Sequence, residues 1–237
     1  MESWEAQISA VAALDEPTRR RLYDYVVRQL EPVSRDDAAA ALELPRTTAA
    51  FHLDRLVDEG LLDVVYQRLT GRTGPGAGRP AKLYRRSDQH VAVSLPQRRY
   101  DLAGRLLSSA LEHAERSGDS PRAVLDQRAY QMGKELGDTA RSTAGDPDIR
   151  QTVLGVLEAY GFEPRIEGGD VTLGNCPFHT LAQDYTALVC GMNLRLLDGF
   201  LDGLATTGLT AHLDPAPPRC CVRLQAADAG SAPSGSD

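Results

Sequence analysis

Hydrophobic spacing predicts two short helices between residues 34 and 60. Ser34 and Asp37 have the spacing of a capping box, so the first helix is predicted to begin at Arg35. Pro45 can open the second helix, because a proline in the first turn sacrifices no backbone hydrogen bond. Gly60 is predicted to end it. The pattern therefore indicates a pair of helices joined by a tight turn.

The two faces of these helices differ in chemistry. With successive residues 100° apart, the inward positions are apolar: Ala38, Ala41 and Leu42 in the first helix, and Ala49, Leu53, Leu56 and Val57 in the second. The candidate DNA contacts of the second helix are Arg46, Thr47, Thr48, Phe51, His52 and Arg55. Hydroxyls, an exposed ring and arginines suit the major groove, where they can meet phosphates, a thymine methyl and guanine acceptors. The alternative is an ordinary amphipathic helix with a solvated outer face.

A glycine-rich hairpin is predicted after the helix pair. Residues 61–69 and 81–86 read as strands, and TGRTGPGAGRP between them has the length of a wing. Six basic residues and no acidic one lie from Arg68 to Arg86, which predicts a local positive patch. Arg72 and Arg79 are the candidate DNA contacts of this hairpin, and an extended Arg79 would suit a narrow minor groove. A solvated hairpin without DNA contacts is the alternative.

Residues 15–86 resemble a winged helix-turn-helix of the ArsR-like class of bacterial regulators. The resemblance rests on PRTTAAFHLDRLVDEGLL and on the GRPAKLY that follows. It implies that the second helix of the pair reads the major groove and that the wing reaches the adjacent backbone or minor groove. The DNA operators that winged helices bind are commonly palindromic, and a palindrome is matched by a protein with two-fold symmetry. We therefore expect a homodimer on double-stranded DNA.

The remaining pattern predicts an α+β protein with a second domain. A lead-in helix is predicted over residues 4–14, carrying Trp4, Ile8 and Val11, and the next helix has Leu22, Val26 and Leu30 as its inner stripe. Further helices are predicted at 97–117, 119–145, 149–160 and 181–204, with strands at 162–166, 171–173, 210–213 and 221–224. The predicted divisions are 1–95 (winged helix), 96–145 (helical linker or dimerisation segment), 146–225 (cysteine-containing α+β domain) and 226–237 (disordered tail).

Composition and charge restrict the class of protein and its location. Of the 237 residues, 42% are hydrophobic and 25% charged, as in soluble globular proteins. The net charge is −7, but residues 1–100 carry +1 and residues 101–237 carry −8, so the half with the predicted DNA contacts is not acidic. No apolar run approaches the roughly 20 residues of a membrane span, and the start lacks a signal-peptide pattern. We therefore expect a cytoplasmic protein with no membrane partner.

All four cysteines fall in the second domain. Cys176 lies in NCPFH, Cys190 in LVCGMN, and Cys220 and Cys221 are adjacent. The intervening 13 and 29 residues match neither a zinc ribbon nor a ferredoxin. Their positions before a helix, within a helix and before a strand could nevertheless converge in a fold. The alternative is scattered cysteines packed as small apolar side chains.

Residues 161–224 resemble the sensor half of SufR-type regulators, through NCPFH, the LVC that follows and the late cysteine before a strand. The resemblance implies an iron–sulfur cluster, 4Fe–4S or 2Fe–2S, with Cys176 and Cys190 as ligands and one of Cys220 and Cys221 as the third. His179, a carboxylate, the second cysteine of the pair or a small molecule could supply the fourth.

The cysteines and His179 are also compatible with two classes of protein other than an iron–sulfur regulator. An enzyme with Cys176 as nucleophile and His179 as base has no evident oxyanion site or orienting group, so we expect no enzyme. The same cysteines and His179 could instead hold zinc, as in a zinc-stabilised or small-ligand-responsive repressor. The favoured prediction is a DNA-binding transcriptional regulator whose operator binding is controlled by an iron–sulfur cluster.

Overall fold

The computed structural model describes residues 4–68, 80–143, 148–205, 207–215 and 219–227. The chain divides into two compact units, Met1–Val93 and Ser94–Asp237. The predicted helical segment 96–145 lies in the second unit, where its helices share a hydrophobic core with the sheet. The wing candidates Arg72 and Arg79 and most of the predicted tail lie outside the described residues.

Within its described residues, the first unit contains four helices and a small antiparallel sheet. Its elements are α1 (Trp4–Ala13), α2 (Pro17–Val27), β1 (Val33–Ser34), α3 (Arg35–Ala41), α4 (Arg46–Asp58), β2 (Leu62–Gln67) and β3 (Ala81–Arg86). The strand order is β1-β3-β2, with Tyr84 of β3 opposite Val33 on one side and Val64 on the other. The helix pair and both longer strands are confirmed, and the two-residue β1 was not predicted.

Side-chain caps explain where two of these helices begin. The Glu16 carboxylate accepts hydrogen bonds from the Thr18 and Arg19 amides, at 3.0 and 2.6 Å, and so caps α2. Burial raises the pKa of Glu16, but these hydrogen bonds outweigh it and lower the pKa to about 2. The capping box of α3 is confirmed, since the Asp37 amide donates to Ser34 Oγ at 3.1 Å and the Ser34 amide donates to Asp37 Oδ2.

The core of the first unit is formed mainly by residues that the pattern placed inward: Leu22, Val26, Ala38, Ala49, Leu53 and Leu56. Two expectations are wrong. Ala41 is exposed and Ala39 is buried instead, because the buried face of α3 is centred between Ala38 and Ala39. Leu30 is fully exposed, because α2 ends at Val27.

Helix α1 also differs from the expected apolar stripe. Its buried residues are Ala10 and Ala13, whereas Ile8 and Val11 are exposed. The helix packs on the core through small side chains, which leave the larger ones at its surface.

The second unit is mixed helix and sheet, as expected for an α+β protein. Its helices are α5 (Tyr100–Ser117), α6 (Pro121–Thr143), α7 (Ile149–Ala159), α8 (His179–Asp184) and α9 (Thr186–Leu204). Its strands are β4 (Pro164–Glu167), β5 (Asp170–Leu173), β6 (Leu209–Leu213) and β7 (Val222–Ala226), paired antiparallel in the order β4-β5-β7-β6. The helix predicted over 181–204 is divided at Tyr185 into α8 and α9.

Helices α6 and α9 cross through four glycines, Gly133 and Gly137 on α6 and Gly199 and Gly203 on α9. A Cβ atom at Gly133 would stand closer than 3.0 Å to the Leu196 carbonyl oxygen. One at Gly199 would stand equally close to the Tyr130 carbonyl oxygen. Only glycine permits such a close approach of two backbones. Phe200, Leu196 and Leu201 of α9 then complete the core beside the crossing. Among the described residues, no helix combines the length and apolarity needed to span a membrane.

Candidate functional sites: a reading helix and a thiol cluster

The outer face of α4 carries the candidate DNA contacts. Thr47, Phe51 and Arg55 are exposed, with 66% of Phe51 accessible, and Thr48 is partly exposed. Ala49, Leu53 and Leu56 are buried on the opposite face. Because the inward face fixes the helix on the core, the outward row has a defined direction. An exposed phenyl ring flanked by hydroxyls and an arginine fits a groove with both apolar and polar edges.

Both arginines of α4 have carboxylate partners. Arg46 pairs with Asp36 through two contacts, one of them 2.6 Å from Nε to Oδ1. This hydrogen bond, together with the charge of Arg46, holds the pKa of Asp36 below its usual value. Arg55 pairs with Glu59 one turn later in the same helix. The Arg46–Asp36 pair is exposed, and such pairs add little to stability, so Arg46 can exchange its carboxylate for a phosphate. The Arg55 guanidinium is also exposed, although only 13% of its partner Glu59 is accessible.

His52 takes a different position from its neighbours. Only 13% of its side chain is accessible, and Nδ1 lies 3.6 Å from Glu16 Oε2 at the start of α2. Its ring meets the Phe51 ring edge to face at 5.2 Å. The structure thus places His52 between α4 and the cap of α2, where it can orient Phe51.

Asp54 connects α4 to the strand that leads out of the wing. Its Oδ1 accepts hydrogen bonds from Lys82 Nζ at 2.5 Å and from the Tyr84 hydroxyl at 2.7 Å. Burial raises the pKa of Asp54, but the two hydrogen bonds lower it below its usual value. The base of the hairpin is therefore fixed to α4 by three side chains.

The four cysteines converge in the second unit, and we call this group of side chains the thiol cluster. Cys176 lies in the loop after β5, Cys190 in α9, and Cys220 and Cys221 immediately before β7. The Cys176 thiol is hydrogen-bonded with that of Cys220, Cys220 with Cys221, and Cys221 with Cys190. All four are free, and all but Cys221 are buried.

Burial and mutual contact raise the pKa of three thiols of the cluster, those of Cys176, Cys190 and Cys220. The hydrogen bond with Cys220, followed by burial, raises the pKa of Cys176. Burial raises the pKa of Cys190. For Cys220, the hydrogen bond with Cys176 lowers the pKa, but the hydrogen bond with Cys221 and burial raise it to about 12. A metal or cluster that binds here must therefore displace protons.

The donor set fits a thiolate-bound group. Among the described residues, no three or more His, Cys, Asp or Glu side chains already stand in the arrangement of a metal site. The thiols instead contact one another, so they must separate and lose protons to become ligands. Four soft sulfur donors in one buried place are nevertheless the chemistry that iron–sulfur clusters and zinc use.

His179 and the cysteine pair are placed differently from the sequence expectation. The His179 side chain is exposed at the start of α8, and it is the backbone amide of His179 that donates to the Cys176 carbonyl, at 3.0 Å. The predicted strand 221–224 begins one residue late, at Val222, so Cys220 and Cys221 both precede it. Because neither cysteine lies in the strand, the alternation of side chains along a strand does not direct them to opposite faces. Both contact other thiols.

Three polar residues around the cluster were missed by sequence reasoning. Asn193 is buried in α9, and its Nδ2 donates to Cys220 Sγ at 3.3 Å. Asn175 and Arg98 hold the Cys176 loop, since Arg98 Nη1 donates to Asn175 Oδ1 at 2.5 Å and to the Cys176 carbonyl at 3.3 Å. The available signal was proximity: Asn175 precedes Cys176, and Asn193 follows Cys190 by three residues, on the same helical face.

A family model described as a helix-turn-helix domain matches residues 14–65, which span α2, α3, α4 and most of β2. Together with the hairpin that follows, this match supports a DNA-binding regulator of the winged helix-turn-helix type. Comparison with curated proteins and with solved structures gives no match.

Proposed function

We propose that this protein is a DNA-binding transcriptional regulator whose operator binding is controlled by an iron–sulfur cluster held by Cys176, Cys190, Cys220 and Cys221. The DNA-binding part rests on the helix-turn-helix match and the outward row of α4. The sensor part rests on one observation, the convergence of four thiols from three separate chain segments. A homodimer belongs to the proposal, because winged helices commonly read palindromic sites.

Thiolates are soft, charged donors that suit an iron–sulfur cluster. Such a cluster, when bound, can be altered by oxidants or lost when iron is scarce, which makes it a sensing group. The residues of this chain provide the binding and the shielding. Three of the four cysteines are buried, so the fold limits access of solvent to the sulfurs. Because the pKa values of Cys176, Cys190 and Cys220 are raised, loading should release protons and be favoured as the pH rises.

A chain of hydrogen bonds offers a route from the thiol cluster towards the DNA-reading unit. The Asn175 side chain donates to the carbonyls of Gln97 and Gly161, at 3.0 and 2.6 Å. The Arg99 amide donates to the Pro177 carbonyl at 3.0 Å. Residues 97–99 lie just after Ser94, where the second unit begins. A displacement of the Cys176 loop would therefore act on the segment that joins the two units.

The cluster is tested with full-length protein purified without oxygen, by visible absorption together with iron and sulfide analysis. Wild-type protein should be coloured and contain both elements. Cys176→Ser and Cys190→Ser should lose most of the iron and sulfide, because serine is a harder donor than cysteine. Cys220→Ser and Cys221→Ser should each lose cluster content as well.

His179→Ala is the matched control, because its side chain is exposed and lies close to Cys176 in sequence. It should retain the cluster content of the wild type. Full iron and sulfide in both Cys176→Ser and Cys190→Ser would contradict the iron–sulfur proposal. Colourless wild-type protein with stoichiometric zinc would favour the zinc-stabilised repressor instead.

Control of DNA binding is tested by titrating one operator fragment, obtained by selection from random DNA, with loaded and with cluster-free protein. Coupling between two sites is typically worth a 5- to 150-fold change in affinity. We expect a difference within that range at one salt concentration. Equal affinities would contradict control by the cluster and leave DNA binding intact.

A further inference from the structure

We infer that Asn193 is a positioning residue of the thiol cluster, which donates a hydrogen bond to the sulfur of Cys220 and raises the reduction potential of the group bound there. The inference rests on the proposed function, since it concerns the same cysteines. It assigns a role to a side chain that is not itself a ligand.

Geometry places Asn193 within the site. It follows Cys190 by three residues in α9, so both side chains leave the helix on the same face. Only 1% of Asn193 is accessible, and its other near neighbours in α9 are the buried Met192, Leu196 and Leu197. Its Nδ2 donates to Cys220 Sγ at 3.3 Å. The cluster thus receives one thiol and one amide from the same turn of helix.

Of the two polar atoms in the buried Asn193 side-chain amide, only the nitrogen has a hydrogen-bond partner in the part of the chain that the structure describes. Among the described residues, its Oδ1 has no hydrogen-bond partner although it is fully buried. A buried amide with an unsatisfied oxygen is costly, and an apolar side chain would fill the same space more cheaply. The bond that Nδ2 makes to sulfur becomes stronger when the thiol turns into a thiolate, because hydrogen bonds to charged acceptors are about twice as strong as neutral ones. The amide is therefore suited to the ligated form of Cys220.

The electron count gives the direction of the effect. Adding one electron to a thiolate-bound cluster increases the negative charge on its sulfurs. A hydrogen-bond donor stabilises the reduced form more than the oxidised form, so it raises the reduction potential. Loss of the Asn193 amide should lower that potential.

The first test is a redox titration of anaerobically loaded full-length protein. Asn193→Leu and Asn193→Ala disturb packing in opposite ways, one by filling the space and one by emptying it, and both remove the donor. Each should shift the ratio of reduced to oxidised cluster about tenfold towards the oxidised form at a fixed potential, about 59 mV for one electron. Leu197→Ala, a buried substitution in the same helix without a hydrogen bond to sulfur, should leave the midpoint unchanged.

A second measurement uses cobalt(II), whose charge-transfer bands report the thiolates independently of iron and sulfide. Asn193→Leu and Asn193→Ala should both shift these bands, and Leu197→Ala should not. If wild-type protein takes up cobalt but forms no iron–sulfur cluster, a band shift in the Asn193 variants supports the role of Asn193 while the proposed function fails. Unchanged bands and midpoint potential in both Asn193 variants overturn the inference and leave the proposed function standing. A protein that binds neither probe overturns both.

Discussion

At the scale of a single residue, Arg55 has two competing partners, a carboxylate of its own helix and a base of the DNA. Its guanidinium lies on the exposed face of α4 and pairs with Glu59 in the same helix. A guanine presents two acceptors to such a group in the major groove, and a good bidentate contact is worth about 1–3 kcal/mol of discrimination. The ion pair holds the side chain along the helix without burying it. Arg55 can therefore read a base by exchanging one acceptor for another.

Arg55→Ala should relax base preference at one operator position, because the lost contact is to a base edge. Arg46→Ala should instead weaken binding similarly on all sequences and reduce the salt slope by about 1, because Arg46 at the helix start suits a phosphate. Both are measured by titrating wild-type and single-base variants of the operator at several salt concentrations.

Arg116→Ala is the control for these variants, since Arg116 pairs with Glu112 over the same i,i+4 spacing but lies on α5 of the second unit. It should leave affinity and preference unchanged. Wild-type preference and salt slope in both α4 variants would remove α4 from the interface.

Single residues were predictable from sequence where a local rule decides them. The capping box of Ser34 and the inward row of α4 follow from spacing within a few residues, and both are confirmed. Ala41 was misplaced because a seven-residue helix shows too few turns to fix its buried face. The contacts that His52 and Asn193 make could not be predicted, since their partners Glu16 and Cys220 lie 36 and 27 residues away in sequence.

At the scale of elements, the glycine crossing of α6 and α9 determines how the second unit packs. Gly199→Ala should destabilise the second unit by about 1–3 kcal/mol or more, because its Cβ would overlap the Tyr130 carbonyl and force the helices apart. The measurement is chemical denaturation of the full chain followed by circular dichroism. Fluorescence of Trp4, the one tryptophan of the chain, reports the first unit separately and should be unchanged.

Gly155→Ala in α7 is the matched control, since nothing lies within 4 Å of the added Cβ. It should be neutral or stabilise by about 0.5–1 kcal/mol, because alanine is the better helix former. Equal stabilities of Gly199→Ala and Gly155→Ala would show that the crossing tolerates a methyl group.

Elements were predictable where the pattern is long. The helices predicted at 97–117, 119–145 and 149–160, and both strand pairs of the second unit, are present with ends shifted by a few residues. The strand β1 was missed because two residues carry no period, and only pairing with β3 defines it. The glycine crossing was missed because two glycines four residues apart in each helix have no evident meaning until the partner helix is known.

At the scale of the whole molecule, the predicted role of Arg98 is to connect the thiol cluster to the segment that begins the second unit. Arg98→Ala should keep the cluster but reduce the difference in DNA affinity between loaded and cluster-free protein towards onefold, since it removes the hydrogen bonds to Asn175 and to the Cys176 carbonyl. Iron analysis and operator titration of both forms check this.

Arg122→Ala serves as the control, because Arg122 also donates to a backbone carbonyl of the second unit, that of Ala187, but away from residues 97–99. It should keep the full difference. An unchanged difference in Arg98→Ala would exclude this route and would leave cluster control to be carried elsewhere.

The wide separation of the thiols along the chain has a consequence for the lifetime of the protein. A group bound to all four would cross-link positions 176 and 221 and restrict the unfolded chain over that whole interval, as a disulfide does. Because it binds the folded form and not the unfolded one, it would also stabilise the second unit by mass action. Protein that loses the group would unfold more often and be degraded sooner. The cell would then adjust the number of regulator molecules as well as their affinity for DNA.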